Sequence, residues 1–372
     1  MLGDRILITG GAGFIGRHLA HALLRRGHHV RILDSLIEQV HGGASRPDGL
    51  ATDSELIIGD VRDAATVRDA LAGIDKVVHL AAEVGVGQSM YAVDRYVSVN
   101  DHGTAVLFQQ LIERPVQRVV VASSMSIYGE GLYRSVDGAV VQDAVRLPRL
   151  GAESSWDPLD AQGRPLTPLP TPEWKQPALA SVYAITKYVQ ERLTLTLAPA
   201  YGMQGVALRL WNVYGPGQAL SNPYTGVLAI FASRLHNGQP PMIFEDGQQR
   251  RDFVHVADVA EAFVLALEHP AAAGGVFNIA SGEDRTVEEV AALLAGAMNR
   301  RELRPEITGK ARAGDIRHCI PDIGRARDVL GYAARRDFSA GLAELAEWVA
   351  RQQAEDRVQQ ARRELEARGL VA

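Results

Sequence analysis

The sequence predicts an α/β protein built on a doubly wound parallel sheet. Short Val-, Ile- and Leu-rich runs alternate with helical patterns through the first two thirds of the chain. Those runs lack polar alternation, as expected of parallel strands covered on both faces. Strand and helix in strict alternation imply βαβ units with right-handed crossovers. A glycine-spaced turn between the first strand and the first helix is the third sign.

In chain order, the predicted strands are Arg5–Thr9, Val30–Asp34, Leu56–Gly59, Lys76–Ala81, Arg118–Ala122, Val206–Leu210 and Val276–Ile279. Between them, Phe14 to Arg26 places Ile15, Leu19, Ala22 and Leu23 on one stripe, and Gly27 sits where a helix stop is wanted. Asp63–Ala72, Tyr91–Arg114, Ser181–Ala200 and Val256–His269 are read as helices in the same way. Gly129–Pro177 breaks the rhythm, being rich in Pro, Gly, Asp and Arg. A loop that long inside a domain is functional or mobile as a rule. Phe338–Ala372 is expected to form an amphipathic helix followed by a charged tail. Residues 1–210, with 253–280 returning to them, are assigned to a dinucleotide-binding domain; 211–252 and 281–372 are assigned to a smaller α/β C-terminal substrate lobe.

Composition narrows the function. Of 372 residues, 47% are apolar and 22% charged, the balance of a soluble globular protein. A formal charge of −5 gives no general attraction to nucleic acid or anionic lipid, so an anionic ligand must be held by local groups. Cys319 is the single cysteine, which excludes an internal disulfide and a multi-cysteine zinc site; no metal is expected. Leu2-Gly3-Asp4-Arg5 runs directly into Ile6-Leu7-Ile8 without a leader pattern. No stretch of about 18 apolar residues offers a membrane span. The expected setting is the cytoplasm, with neither a membrane nor a nucleic-acid partner.

Gly10, Gly13 and Gly16 follow the first strand, spaced three apart, with Phe14 and Ile15 opening the helix. Glycine here allows a tight turn, close approach of a pyrophosphate and close packing of helix on strand. The helix N-terminus supplies unpaired N–H groups and partial positive charge for that pyrophosphate. Asp34 ends the second strand, 18 positions after Gly16, where a carboxylate accepts the adenosine ribose hydroxyls and repels a 2′-phosphate. Ser35 and Leu36 supply no arginine to reverse that preference, so NAD is favoured over NADP. Asp60 and Val61, after the third strand, are placed to meet the adenine. Together these features read as a Rossmann-like dinucleotide domain.

A second constellation concerns chemistry. Tyr183 and Lys187 are four residues apart, on one face of a predicted helix. A phenol titrates near about 10, and a nearby ammonium favours the phenolate, moving it toward service as a general base. Ala122-Ser123-Ser124-Met125-Ser126-Ile127-Tyr128-Gly129 ends the fifth strand, which sets the Ser124 hydroxyl at the crevice where ligands bind in open α/β sheets.

The first-turn glycines, the Ser-Ser-x-x-x-Tyr-Gly run, Tyr183-x-x-x-Lys187 and Leu210-Trp211-Asn212-Val213-Tyr214-Gly215-Pro216 occur in the order seen in extended short-chain dehydrogenases/reductases. The chain resembles the nucleotide-sugar epimerase/dehydratase branch of that family from about Arg5 to Asp315. By that resemblance Tyr183 is the base, Lys187 binds the cofactor ribose and tunes the phenol, and Ser124 positions the sugar hydroxyl, with Ser126 beside it. Asn212, Arg251 and Arg312 resemble residues that hold the nucleotide diphosphate. Asn100 resembles the family's helix asparagine, which the resemblance places against the cofactor, and Ala81-Ala82-Glu83 the loop beneath the nicotinamide, with Glu83 turned to the substrate.

Residue chemistry then separates the family's reactions. The 4,6-dehydratases carry an Asp-Glu pair after the serine or threonine, and Met125-Ser126 here cannot protonate a leaving hydroxyl. The 3,5-epimerase relatives need a further acid/base pair, and Cys319 lies too late in the chain to supply it. Reduction of a keto sugar normally consumes NADPH, which Asp34 opposes. The remaining reaction is 4-epimerisation of a nucleotide-diphosphate sugar with bound NAD. Val84–Tyr91 and Ala219–Gly226 resemble segments of proteins assigned as dTDP-L-rhamnose 4-epimerases, which make dTDP-6-deoxy-L-talose. The Cys-x-x-Cys associated with that group is absent between Trp156 and Thr171. UDP-glucose or UDP-uronic acid 4-epimerisation is the second reading, followed by a dehydratase or reductase, and last a non-catalytic NAD-binding regulator. The resemblance also implies a homodimer, joined through the Tyr91–Arg114 and Ser181–Ala200 helices.

Overall fold

Seven strands form the central sheet: β1 (Arg5–Thr9), β2 (His29–Asp34), β3 (Glu55–Ile58), β4 (Lys76–His79), β5 (Arg118–Ser124), β6 (Gln204–Leu210) and β7 (Val276–Ile279). In this computed structural model, residues 3–43, 45–146, 155–224, 226–353 and 356–371 are described. The strand order is β7-β6-β5-β4-β1-β2-β3 and every pairing is parallel. The seven strands are those expected from the apolar runs, with ends displaced by one or two residues.

The longer helices are α1 (Phe14–Arg25), α2 (Ala64–Ala70), α3 (Gly103–Glu113), α4 (Val182–Ala200), α5 (Val227–His236), α6 (Val256–Glu268), α7 (Val287–Ala297), α8 (Phe338–Val349) and α9 (Val358–Glu366). Alternate residues of β1 serve opposite faces of the sheet. Ile6 and Ile8 pack with Leu19 and Leu23 of α1 and Phe263 and Leu267 of α6. Leu7 packs on the other side with Leu107, Phe108 and Leu111 of α3. With both faces covered, the chain reverses direction of winding between β1 and β4, and a crevice opens at the carboxyl ends of the strands there.

A separate core lies among α5, α7 and α8, where Phe231, Leu294, Leu342 and Leu345 meet Phe253 and Tyr214. It is joined to the main sheet through a three-stranded sheet of Asn212–Tyr214, Arg250–His255 and Asp284–Thr286. No described helix is long and apolar enough to cross a membrane.

Three regions differ from expectation. Tyr91–Arg114 is not one helix: Val93–Tyr96 leads into a π-helical stretch, Val97–His102, before α3 begins. The widened turn carries Asn100 into the interior, where it is fully buried. Gly103 follows because a Cβ there would stand 2.6 Å from Val61 Cγ1. Within Gly129–Pro177, Leu132–Arg134, Val140–Val141 and Thr167–Thr171 join Ile320–Pro321 in a four-stranded sheet; residues 147–154 of that segment lie outside the described residues. The charged tail folds as α9, with Ala361 and Leu365 buried.

Beneath the sheet, Arg209 and Glu191 form an ion pair at 2.7 Å with side chains 6% and 1% exposed. Glu191 also accepts the Ser123 hydroxyl at 2.6 Å, and Arg209 donates to Tyr128 Oη at 2.7 Å. Removing one partner leaves the other charge buried without compensation. Glu191→Ala is expected to cost about 3–5 kcal/mol in urea unfolding; a loss below about 1 kcal/mol would show that the pair is solvated.

Candidate functional site

The crevice at the strand ends is a cavity of about 960 Å³ that runs from the first βα turn to the second core. Every residue assigned a cofactor, substrate or catalytic role from the sequence lines it except Asn100.

The glycine turn divides its work. Gly10 has φ +69°, and a Cβ there would stand 2.7 Å from the Ala81 amide; at Gly16 it would stand 2.5 Å from Gly11 backbone atoms. Those two glycines serve the fold itself. Gly13 meets only Gly10 O, at 3.2 Å, so its missing side chain widens the cavity rather than avoiding a clash. Gly13 is also the N-cap of α1, which has no side-chain cap and no acidic residue in its first turn. Its first N–H groups therefore remain as donors beside Phe14 and Ile15, which suits a pyrophosphate.

Asp34 closes the turn from below. One carboxylate oxygen accepts the Ala12 amide at 3.0 Å and the other the Leu36 amide at 2.9 Å. Each oxygen keeps a further lone pair for ribose hydroxyls. Asp60 is gripped by Arg62 at 2.6 and 2.9 Å, a contact that holds its carboxyl below the usual range; Val61 lines the wall beside it. The residues thus fit a dinucleotide with free 2′- and 3′-hydroxyls.

At the centre of the cavity, β5 ends in Ser124 and α4 begins at Val182, brought together because the two elements pack along their length. Ser124 Oγ accepts both the backbone N–H and the hydroxyl of Ser126, at 3.1 and 3.0 Å. Its own proton is then left to turn toward the Tyr183 phenol, which lines the same stretch of wall. Tyr183 faces the cavity yet is walled in by protein, with Tyr96 edge-on at 6.5 Å. Enclosure pushes the phenol above its ordinary value, and Ser124 opposes that shift. Lys187 lines the same cavity one turn beyond Tyr183, and its Nζ donates to Gln190 Oε1 at 2.7 Å; burial lowers the ammonium to about 7.

Gln190 is an anchor the sequence reading missed, although it lies one turn beyond Lys187. It donates to Thr104 Oγ1 at 3.0 Å and to Ala81 O at 3.2 Å. Thr104 in turn donates to Asn100 O. His79, neutral because burial lowers it to about 3, bridges Thr9 Oγ1, 2.7 Å from Nδ1, and Thr104 Oγ1, 2.8 Å from Nε2. Asn100 lies behind the wall, where expectation placed it against the cofactor. It accepts the Glu83 amide at 2.7 Å and donates to Glu83 O and to Thr186 Oγ1 at 2.9 Å. It is a positioning residue that ties the Ala81-Ala82-Glu83 loop to the helix of Tyr183. Glu83 itself is paired with Arg95 at 2.7 Å.

On the far side, Asn212 Nδ2 donates to Asp252 O at 2.9 Å. Arg251 holds the backbone carbonyls of Arg317, at 2.8 Å, and Ile316. Arg312 pairs with Asp315 at 2.8 Å and stacks over Phe244 at 4.5 Å. Phe244 was missed because nothing local to it signals a cavity. Gln249 was missed as well: its Nε2 binds Phe244 O at 2.8 Å, while its buried Oε1 has no protein partner. Cys319 is enclosed, and burial pushes its thiol up to about 12, so it offers no thiolate.

Comparison with known proteins agrees with this geometry. Residues 6–143 and 162–280 match the model of the NAD dependent epimerase/dehydratase family. A dTDP-L-rhamnose 4-epimerase of Burkholderia thailandensis is 34% identical over 355 residues, covering 94% of this chain and 96% of that protein. A UDP-glucose 4-epimerase of Thermotoga maritima, solved with UDP-glucose, superposes with a TM-score of 0.75 at 29% identity, over 92% of this chain and 98% of that one. Its counterpart from Thermus thermophilus, solved with NAD, gives 0.74 at 28% identity, over 94% and 100%. On the strength of the matched segments and the glycine turn, Asp34 and Tyr183–Lys187 that fall within them, the chain belongs to the NAD dependent epimerase/dehydratase family.

Proposed function

We propose that the protein is a nucleotide-sugar 4-epimerase that converts dTDP-L-rhamnose to dTDP-6-deoxy-L-talose in the cytoplasm. The carrying observation is that Ser124, Ser126 and Tyr183 bring their hydroxyls to one cavity wall beside Lys187. The identity with the Burkholderia thailandensis enzyme favours the rhamnose nucleotide. The likeness to the UDP-glucose 4-epimerases supports UDP-glucose or UDP-uronic acid as the second reading.

NAD would be held by the Gly10–Gly16 turn, Asp34 and Lys187, and when bound it would supply a reversible acceptor for the C4 hydride. Tyr183 removes the proton of the C4 hydroxyl as the carbon is oxidised, and gives it back as the carbon is reduced. Because enclosure raises the phenol, its neutral form is the resting state. Ser124 donates to the phenol oxygen and so favours the phenolate when the proton is in flight. Between the two half-steps the 4-keto sugar turns, presenting its opposite face. Ser126 and Met125 offer no acid for elimination of water, so the keto sugar is not diverted to dehydration. Residues 1–210 with 253–280 hold the cofactor in this scheme, and 211–252 with 281–372 the nucleotide sugar. Val93, Val97 and Ile185 are exposed apolar residues on the two helical segments expected to pair in a homodimer.

Tyr183→Phe is expected to lower kcat by about 10²–10⁴ while NAD stays bound, as read by C4-epimer interconversion and by cofactor content. Full activity in that variant would remove Tyr183 from the reaction. For Asp34→Ala, fluorescence titration is expected to show NAD affinity reduced about tenfold relative to NADP; an unchanged ratio would locate the discrimination elsewhere.

Lys187 makes a pH-dependent prediction. Its ammonium is lowered from 10.5 to about 7 on folding, so between those values the unfolded chain binds more protons there. Stability from this group therefore rises with pH across that window. Urea unfolding without cofactor is expected to show wild type gaining on Lys187→Met from pH 7 to about 9.5; parallel slopes would contradict the lowered value of the buried amine.

A further inference from the structure

No single residue of helix α9 has been given a role in the reaction described above. Yet Val358, Ala361, Arg362 and Leu365 line the same cavity as Ser124 and Tyr183, and their spacing puts them on one face of the helix. Leu365 lies over Gly87, where an added Cβ would stand 3.5 Å from its Cδ1. Glu364 fastens the helix to both sides of the cavity. Its carboxylate accepts Tyr91 Oη at 3.0 Å and Tyr224 Oη at 2.9 Å, and the two phenol oxygens are 2.6 Å apart. Arg368 stacks on Tyr91 at 4.3 Å. Beyond the helix, Ala313 N donates to Leu370 O at 2.9 Å, and Arg312 pairs with Val371, so this segment is laid along the arginine loop.

Arg362 is held loosely by comparison. Its Nε donates to Glu366 at 2.9 Å, and its Nη1 meets only the thioether of Met242, at 3.5 Å. A thioether is a weak acceptor, so a phosphate oxygen brought to that donor replaces it readily. In a chain of net charge −5, each cation on the cavity wall counts toward holding a diphosphate.

We propose that α9 is a third wall of the substrate site: Arg362 donates to the nucleoside diphosphate, Leu365 packs against the sugar, and the Tyr91–Tyr224–Glu364 clasp holds the wall in place. This rests on the nucleotide-sugar reading above and adds a recognition element to it. Calorimetric titration with dTDP and with UDP reads nucleotide affinity without turnover, and steady-state assays with dTDP-L-rhamnose and UDP-glucose read KM and kcat. Arg362→Ala is expected to weaken nucleotide binding about tenfold, with NAD content and Tm unchanged, and Arg362→Lys to restore part of it. Leu365→Ala is expected to raise KM for the sugar nucleotide roughly fivefold, with little change in affinity for the bare nucleotide. Glu364→Ala should reproduce both losses. Wild-type affinity and KM in all three variants would overturn the wall while leaving the 4-epimerase reading intact. A wild-type chain that binds neither nucleotide and inverts neither sugar would overturn both.

Discussion

A half-buried phenol and a buried ammonium on one face of a single helix set the terms for everything around them. Burying either group unpaired is costly. The protein meets that cost with two short chains of hydrogen bonds, Ser126–Ser124 on the Tyr183 side and Gln190–Thr104 on the Lys187 side. The second chain continues through His79 to Thr9 on β1, so the base, its neighbouring cation and the first strand form one polar seam through an apolar sheet.

That seam explains why the backbone is irregular where it is. The π-helical stretch at Val97–His102 turns Asn100 inward, and Asn100 then binds Thr186 on the helix of Tyr183 and the loop of Glu83. Asn100 so links the Ala81-Ala82-Glu83 loop to the helix of Tyr183.

Substrate recognition is organised differently. The sheet side is rigid, covered on both faces and buried. The opposite side is assembled from loops and helices around a separate core, tied across the cavity by side chains such as Glu364 and Arg312 that come from distant parts of the chain. Such a division suits an enzyme that must hold one ligand through many turnovers while exchanging another.

Much of this was legible in the residues alone. Apolar runs without alternation marked all seven strands, because a strand buried on both faces admits little else. Glycine spacing and Asp34 marked the cofactor end, since those constraints act within one βαβ unit. Tyr183, Lys187 and Ser124 stood out through the resemblance of their motifs to those of the family, and the fold brings all three to the cavity wall. What depended on contacts across the fold was not legible. Asn100 moved from cofactor to scaffold because a π-turn redirected it; Lys187 turned toward Gln190 because burial demanded a partner; and a segment that reads as a charged tail became a helix against the cavity. Local sequence determines which face of an element is apolar and which turn it can make. Only tertiary packing decides which distant polar groups must satisfy one another once water has been excluded.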